Sequence, residues 1–230
     1  MVDELSDKRA RVAHKSSVEP LPIPALGHSL TCPQGYAVPL VLASSSAIRR
    51  TMLEAAGIAH EAVPAGVDEG AVKARVGDPE ARALALARAK ATAVSKQRPD
   101  DWVIGSDSVV SIGGRMFDKP ADRGQAAEHL RSFSGKTMRL TSAVALARGG
   151  TVDWSHCDSA TLQVRELSDG FIETYLEREW TEVSYCVGVF RIEGPGVQLF
   201  SSIDGDHFTI LGMPLIPLLE ALRERGVVEA

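Results

Sequence analysis

The chain is short of cysteine, of positive charge and of long apolar runs, and each shortage removes a class of protein. Its three cysteines, Cys32, Cys157 and Cys186, are odd in number and widely spaced. They supply neither a disulfide framework nor a zinc pattern, a usage that suits a reducing cytoplasm. No apolar stretch approaches the roughly 20 residues that span a bilayer, and the charged N-terminus lacks the apolar core of a signal peptide. Lysine and arginine number 25 against 30 acidic residues, a net charge of −5, so no field of the whole protein draws it to nucleic acid or membrane. A basic site for an anion has to be local. The familiar nucleotide loops are missing as well. Ser134-Gly135-Lys136-Thr137 carries a Gly-Lys-Thr core, but Leu130 stands where a Walker loop needs glycine, and the segment follows a helix and precedes a strand, the reverse of the required order. Gly194-Pro195-Gly196 has Leu199 where a dinucleotide fingerprint needs its third glycine. The six histidines are scattered, with no two at metal-ligand spacing on one face.

What remains fits one α/β domain, since 230 residues that are 44% hydrophobic can bury a real core. Residues 1–38 differ from the rest. Met1 to Lys15 is highly charged without an apolar period, and Pro20, Pro22, Pro24 and Pro33 punctuate the stretch after it. This segment is expected to be a disordered extension, with the domain over 39–230.

The most informative stretch opens that domain. Leu40-Val41-Leu42 reads as the end of a buried strand; Ser44-Ser45-Ser46, then Ile48-Arg49-Arg50, then Met52 to Gly57 read as a serine-capped helix with a glycine stop. Free amides at a helix start, its positive dipole end and two guanidinium forks suit a polyphosphate. An ordinary N-cap with two solvated arginines fits the same residues. Further on, Ala59 to Pro64 reads as an edge strand leading to Asp68-Glu69, two carboxylates bracketed by Gly66 and Gly70. They read either as a solvated turn or as metal- or water-holding acids on a loop.

A helix is predicted from about Pro79 to Lys96 with Asp78 as its cap. Lys90 falls on one stripe with Leu86 and Val94, so it either snorkels to water or points into a cleft. Trp102 to Val110 reads as a strand with Asp107 in its middle, an unusual place for a group that is costly to bury unpaired; a turn at Gly105-Ser106-Asp107 fits the same residues, though Val109, Val110 and Ile112 favour a strand that continues. Gly113-Gly114 then predicts a tight hairpin returning through Asp118-Lys119-Pro120. Asp122 and Gln125 form a capping box for a helix over Arg123 to Phe133. Beyond it, Leu140 to Ala147 and Thr161 to Val164 read as the two arms of a longer antiparallel ribbon around Gly149-Gly150, and Ser168-Asp169 opens a helix to about Glu177. Ser184 to Ile192 and Val197 to Ile203 read as two strands, and Leu215 to Arg223 as a closing helix.

The unusual groups are therefore Arg49, Arg50, Lys90 and Lys119 against Asp68, Glu69 and Asp107. Cations for phosphate oxygens, with carboxylates for a divalent metal and a water, match metal-assisted attack on a phosphoanhydride. No covalent nucleophile stands out, which favours direct attack by water, and His156-Cys157-Asp158 reads as strand neighbours on alternating faces. In order, Ala43-Ser44-Ser45-Ser46 through Arg50, Val67-Asp68-Glu69, Ala89-Lys90-Ala91, Gly105 to Val110, Asp118-Lys119-Pro120, Ser134-Gly135-Lys136 and Leu211 to Leu215 together resemble the Maf family of nucleoside triphosphate pyrophosphatases, over about Pro39 to Val227.

The resemblance implies an elongated mixed α/β sheet flanked by helices around a central substrate cleft. It implies a cytoplasmic homodimer that splits a nucleoside triphosphate between its α and β phosphates, with magnesium or manganese and with no nucleic acid or membrane partner. By position, Asp107 matches the family's water-activating proton acceptor, and Glu69 with Asp107 would hold the metal. Arg49, Lys90 and Lys119 match phosphate-binding cations, with Arg50 paired to Arg49, while Ser44 and Ser46 would line the phosphate end. Ile48, Ser108 and Glu193 fall where branches of the family differ in base choice. Glu193 resembles the 7-methyl-GTP branch, whereas Ile48 replaces the tryptophan expected there, removing a cation–π contact. Two other readings stand beside this one: a non-catalytic nucleotide-binding regulator of cell division, and a pyrophosphatase of the related inosine-triphosphate type.

Overall fold

The structure is a computed structural model, and it describes residues 39–229. The expected extension at 1–38 lies outside the described residues. Three helix starts are set by their caps. Asp78 accepts the Ala81 amide at 2.8 Å, Asp122 accepts that of Gln125 at 2.8 Å, and Ser168 accepts that of Phe171 at 3.2 Å. They open α3 (Pro79–Ser95), α4 (Arg123–Phe133) and α5 (Asp169–Val183), while α1 spans Ala47–Ala55, α2 Glu69–Lys73, α6 His207–Leu211 and α7 Leu215–Glu224. The Gln125 side chain reaches back to the Ala121 amide at 2.8 Å, completing the box one residue earlier than the usual pattern.

The strands are β1 (Leu40–Leu42), β2 (Glu61–Ala62), β3 (Trp102–Ile112), β4 (Arg115–Phe117), β5 (Thr137–Arg148), β6 (Thr151–Val164) and β7 (Phe200–Asp204). They form one mixed sheet in the order β2-β1-β3-β5-β6-β7, with β4 paired to β3. β1 runs parallel to both β2 and β3; the remaining pairs are antiparallel.

Alternation along the strands sorts side chains onto two faces. Ala143, Ala145 and Ala147 of β5 meet Ala83, Ala87 and Ala91 of α3, a small-residue contact that brings helix and sheet close. Val144 and Leu146 face the other way, into a core with α1 and α7 built on Leu53, Leu218 and Leu222. A third cluster packs α4 and α5 over the far ends of β3, β5 and β6 through Phe133, Ile172 and Leu162. The close approach is tightest at Gly105. A Cβ there would collide with the Ala87 carbonyl oxygen and come within 2.5 Å of the Ala91 amide nitrogen.

The register leaves a break in the sheet. β1 pairs with β3 only over Trp102 to Ile104, and β4 takes up the same edge only from Val110. Between them, among the described residues, 105–109 have no strand neighbour on that side. Asp107 sits in this gap.

Three expectations need correction. Ser184 to Ile192 is not a strand but a succession of turns, and residues 195–199 form a 3-10 helix before β7. The apolar run Val187-Val189-Phe190 imitates strand alternation, yet its burial comes from packing under α5, where the Tyr175 hydroxyl donates to the Val189 carbonyl at 3.0 Å. Helix α5 continues to Val183, six residues beyond Glu177, because buried Glu179 finds a charge partner in Arg191 at 3.1 Å. Strand β6 starts at Thr151, at the Gly149-Gly150 turn expected for the ribbon, so its regular arm extends ten residues before Thr161 through a mostly polar, half-buried stretch.

Candidate active site

A cleft of about 980 Å³ opens at the gap in the sheet. Its centre is made by three elements. β3 presents Asp107 toward α3, α3 answers with Lys90, and the first residue of α2 contributes Glu69. The Lys90 ammonium donates to Asp107 Oδ1 at 2.6 Å and lies 2.7 Å from Glu69 Oε1. The side chains of Lys90 and Asp107 are each 13% exposed, so this is a partly desolvated ion pair with a second carboxylate attached. The aspartate that is out of place in a strand is thus explained by the lysine that is out of place on a helix stripe. Asp68, the other acid of that loop, caps α2 by accepting the Ala71 amide at 3.1 Å.

Around this centre lie further cations. Lys73, one turn along α2 from Glu69, pairs with Asp118 at 2.8 Å and with Glu69 at 3.5 Å. Burial alone would raise the Glu69 pKa, but the Lys90 hydrogen bond and the charges of Lys90, Lys73 and Lys119 outweigh it and hold the group below its ordinary value. The opposite balance acts on Lys73. Burial would lower it, yet the hydrogen bond to Asp118 and the charges of Asp118, Glu69 and Asp107 raise it above the usual lysine value.

Even-numbered residues of β3 face α1 and α6. There Arg49 commits three donors to the protein itself: Nε to the Gly212 carbonyl at 2.9 Å, Nη1 to the Ser106 carbonyl at 3.1 Å and Nη2 to the Ser108 hydroxyl at 3.1 Å. Burial lowers its pKa, and the charges of Asp107 and Glu69 oppose that shift. The Ser106 and Ser108 hydroxyls also donate to the Gly212 carbonyl, at 3.0 and 3.2 Å. Gly212 holds φ at +109°, where a side chain would be strained and its Cβ would lie 3.2 Å from Ser108 Oγ. The start of α1 is open. Ser46 is its N-cap and makes no side-chain capping bond, while the Ser44 hydroxyl is turned back to the Ser46 amide at 3.1 Å.

Of the residues singled out from sequence, Ser44, Ser46, Ile48, Arg49, Glu69, Lys90, Asp107, Ser108, Lys119 and Glu193 all line this cleft. Arg50 does not; it is an exposed residue of the first turn of α1 and is not part of the cleft lining. The structure adds Lys73, Asp118, Glu182, Tyr185, Cys186 and Arg191 to the lining. Lys73 had a readable signal in its i, i+4 spacing from Glu69; Glu182 lies in the part of α5 beyond the predicted helix end, and Asp118, Tyr185, Cys186 and Arg191 sit on irregular backbone that no periodicity marks. Cys186 is no nucleophile, because burial first and the Glu193 charge second push its thiol up to about 11. Among the described residues no group of three or more His, Cys, Asp or Glu gathers as a ready-made metal cage. Glu69 and Asp107 offer two hard carboxylate donors at one place, the set that suits an ion completing its shell with water and phosphate oxygens. Among the described residues no helix is long and apolar enough to cross a membrane.

A cleft at a break in a mixed sheet, lined by lysines and arginines and floored by a carboxylate–lysine–carboxylate centre, defines an α/β protein with a charged cleft at the sheet break. More particularly, the chain belongs to the Maf family, described as Maf-like proteins, whose profile matches residues 39–225. It is 48% identical over 194 residues to a 7-methyl-GTP pyrophosphatase of Rhizobium etli, covering 83% of this chain and 98% of that protein. A 7-methyl-GTP pyrophosphatase of Brucella suis shares 45% over 196 residues, covering 84% and 98%. A nucleoside triphosphate pyrophosphatase of Nitrobacter hamburgensis shares 44% over 192 residues, covering 83% and 95%.

Proposed function

We propose that this chain hydrolyses a nucleoside triphosphate between the α and β phosphates, releasing a nucleoside monophosphate and pyrophosphate, with 7-methyl-GTP or a related guanine nucleotide as substrate. The observation that carries the reading is Asp107 held by Lys90 at a gap in the sheet, beside Glu69 and within a cleft lined by further cations. The names of the relatives support the reaction and the base.

Asp107 accepts the proton of the attacking water. Lys90 occupies one carboxylate oxygen, Oδ1, which leaves Oδ2 for that proton. Lys73 and Lys119 draw the phosphate oxygens toward this centre, and the open start of α1, with its free backbone donors, receives the terminal phosphates. Arg49 acts mainly as a brace: with three donors already engaged, it fixes Ser106 and Ser108 beside Asp107 and keeps positive charge under the site. Glu69 and Asp107 would hold a divalent cation such as magnesium or manganese, which supplies charge neutralisation at the phosphoanhydride. With Cys186 held protonated, the cleft contains no activated thiol, in keeping with direct attack by water.

The test is pyrophosphate release from dTTP, UTP, CTP, GTP, 7-methyl-GTP and ITP with magnesium or manganese, parent beside Asp107→Asn. Release that falls on the order of 10²–10⁴-fold in the variant supports the reading. No release from any nucleotide overturns it and leaves a nucleotide-binding regulator; preference for ITP moves the chain to the inosine-triphosphate type. The homodimer and the cytoplasmic location remain part of this proposal, and sedimentation of the purified chain tests the first.

A further inference from the structure

One wall of the cleft has no part in the chemistry above. It is the last turn of α5 and the segment from there to the 3-10 helix, carrying Glu182, Tyr185, Cys186, Arg191 and Glu193. Tyr185 is the most exposed large hydrophobic side chain among the described residues, at 61%, and it stands on the cleft. An aromatic ring left this open at the mouth of a pocket has a free π face. The backbone beneath it is fixed. Val189, fully buried, takes the left-handed region at φ +55°, which a β-branched residue adopts only when its surroundings over-determine it. Its amide donates to the Cys186 carbonyl at 3.0 Å, and its carbonyl accepts the buried Tyr175 hydroxyl at 3.0 Å. The turn after Tyr185 is therefore pinned at both ends.

The charge of this wall differs from that of the phosphate end. Glu179 and Glu182 share one guanidinium, that of Arg191, at 3.1 and 3.3 Å, while Glu193 forms no ion pair among the described residues. Glu182, Glu193 and Arg191 line the cleft, two carboxylates against one guanidinium, which leaves the wall net negative. Lys119 lines the same cleft.

We propose that Tyr185 is the stacking platform for the nucleobase, and that the acidic wall around it favours a base carrying positive charge. This rests on the proposed nucleotide substrate and adds the residue that selects within that class. Stacking is indifferent to which base presents its face, whereas cation–π attraction rewards a methylated, cationic one. The loss on removing the ring is therefore larger for 7-methyl-GTP than for GTP, and absent for a ligand without a base.

The experiment is calorimetric titration in magnesium buffer of the Asp107→Asn chain, in which turnover is expected to be strongly slowed, with and without Tyr185→Ala or Tyr185→Phe. The probes are 7-methyl-GTP, GTP and inorganic tripolyphosphate. Tyr185→Ala is expected to weaken 7-methyl-GTP about tenfold and GTP less, with tripolyphosphate unchanged and Tyr185→Phe restoring the affinity. Equal weakening of all three ligands, or no weakening of 7-methyl-GTP, overturns the inference. Because the readout is binding, it separates from the hydrolytic reading: an inactive parent whose Tyr185→Ala form loses only the nucleotides keeps this inference, and an active parent whose binding ignores Tyr185 discards it.

Discussion

Gly105→Ala tests the architecture that joins Lys90 to Asp107. The added Cβ would meet backbone on the α3 side, the Ala87 carbonyl oxygen and the Ala91 amide nitrogen, and would lie 2.9 Å from the Ala91 Cβ. No rotamer change relieves such a contact; the helix has to lift from the sheet. Overpacking a core costs typically about 1–3 kcal/mol, and contact with backbone places this change near ~3. In a domain of this size each kcal/mol moves Tm by roughly 2–4 °C, so the variant is expected to melt about 6–12 °C below the parent. The displacement also separates Lys90 from Asp107, now 2.6 Å apart, and a shift of about 1 Å at such a centre lowers kcat on the order of 10²-fold. Thermal melts and urea unfolding give the first number and pyrophosphate release the second. Gly77→Ala is the control, since a Cβ there meets nothing within 4 Å, and it is expected to stay within about 0.5 kcal/mol of the parent. A Gly105→Ala protein that melts within about 2 °C of the parent and keeps its kcat refutes the close-approach argument.

Arg49→Lys removes a planar fork engaged at three points; with charged hydrogen bonds worth about 1.5–3 kcal/mol each and partial replacement by the ammonium, a loss of about 2 kcal/mol is expected in urea unfolding, with kcat falling alongside. Lys90→Gln takes away the strongest influence holding Glu69 down. A carboxylate lowered in the folded state adds stability above its unfolded pKa of about 4.3 and loses it as pH falls through the folded value. The stability difference between parent and Lys90→Gln is therefore greatest at neutral pH and closes on acidification below pH ~4, which unfolding curves at stepped pH will show. Cys186→Ser, at a thiol held protonated by burial, is expected to leave pyrophosphate release within about twofold of the parent and to leave release insensitive to thiol alkylation near pH 7.

Much of the site is legible in the sequence because its residues break local rules. An aspartate within Val103 to Val110 and a lysine on an alanine-rich helix stripe are costly in isolation, and each offsets the cost of the other. The rejection of a Walker loop also holds: Ser134 ends α4, Gly135 turns at φ +69°, and Lys136 folds back onto the Ser132 carbonyl at 2.7 Å. The wall from Ser184 to Leu199 misleads because alternating apolar residues carry the same signal in a strand and in a buried irregular segment. What decides between them there is a contact 14 residues away, the Tyr175 hydroxyl on the Val189 carbonyl, which no local pattern encodes. Arg49 reads as a phosphate ligand from its place on the first turn; its partners at Ser106, Ser108 and Gly212 become visible only when the chain has folded.

The Gly212 carbonyl has a consequence for how the protein comes into being. It lies 163 residues beyond Arg49, yet it accepts the Arg49 Nε and the hydroxyls of Ser106 and Ser108. During synthesis, α1 and β3 are made long before the oxygen that ties them together. A nascent chain therefore carries its aspartate and lysines with the arginine unanchored, and the brace under the site closes only as the last two helices emerge. Synthesis of the stretch through Gly212 is in this sense a late step in assembling the pocket, and a chain ending before Gly212 would hold the cleft's cations without the strut that sets them in place.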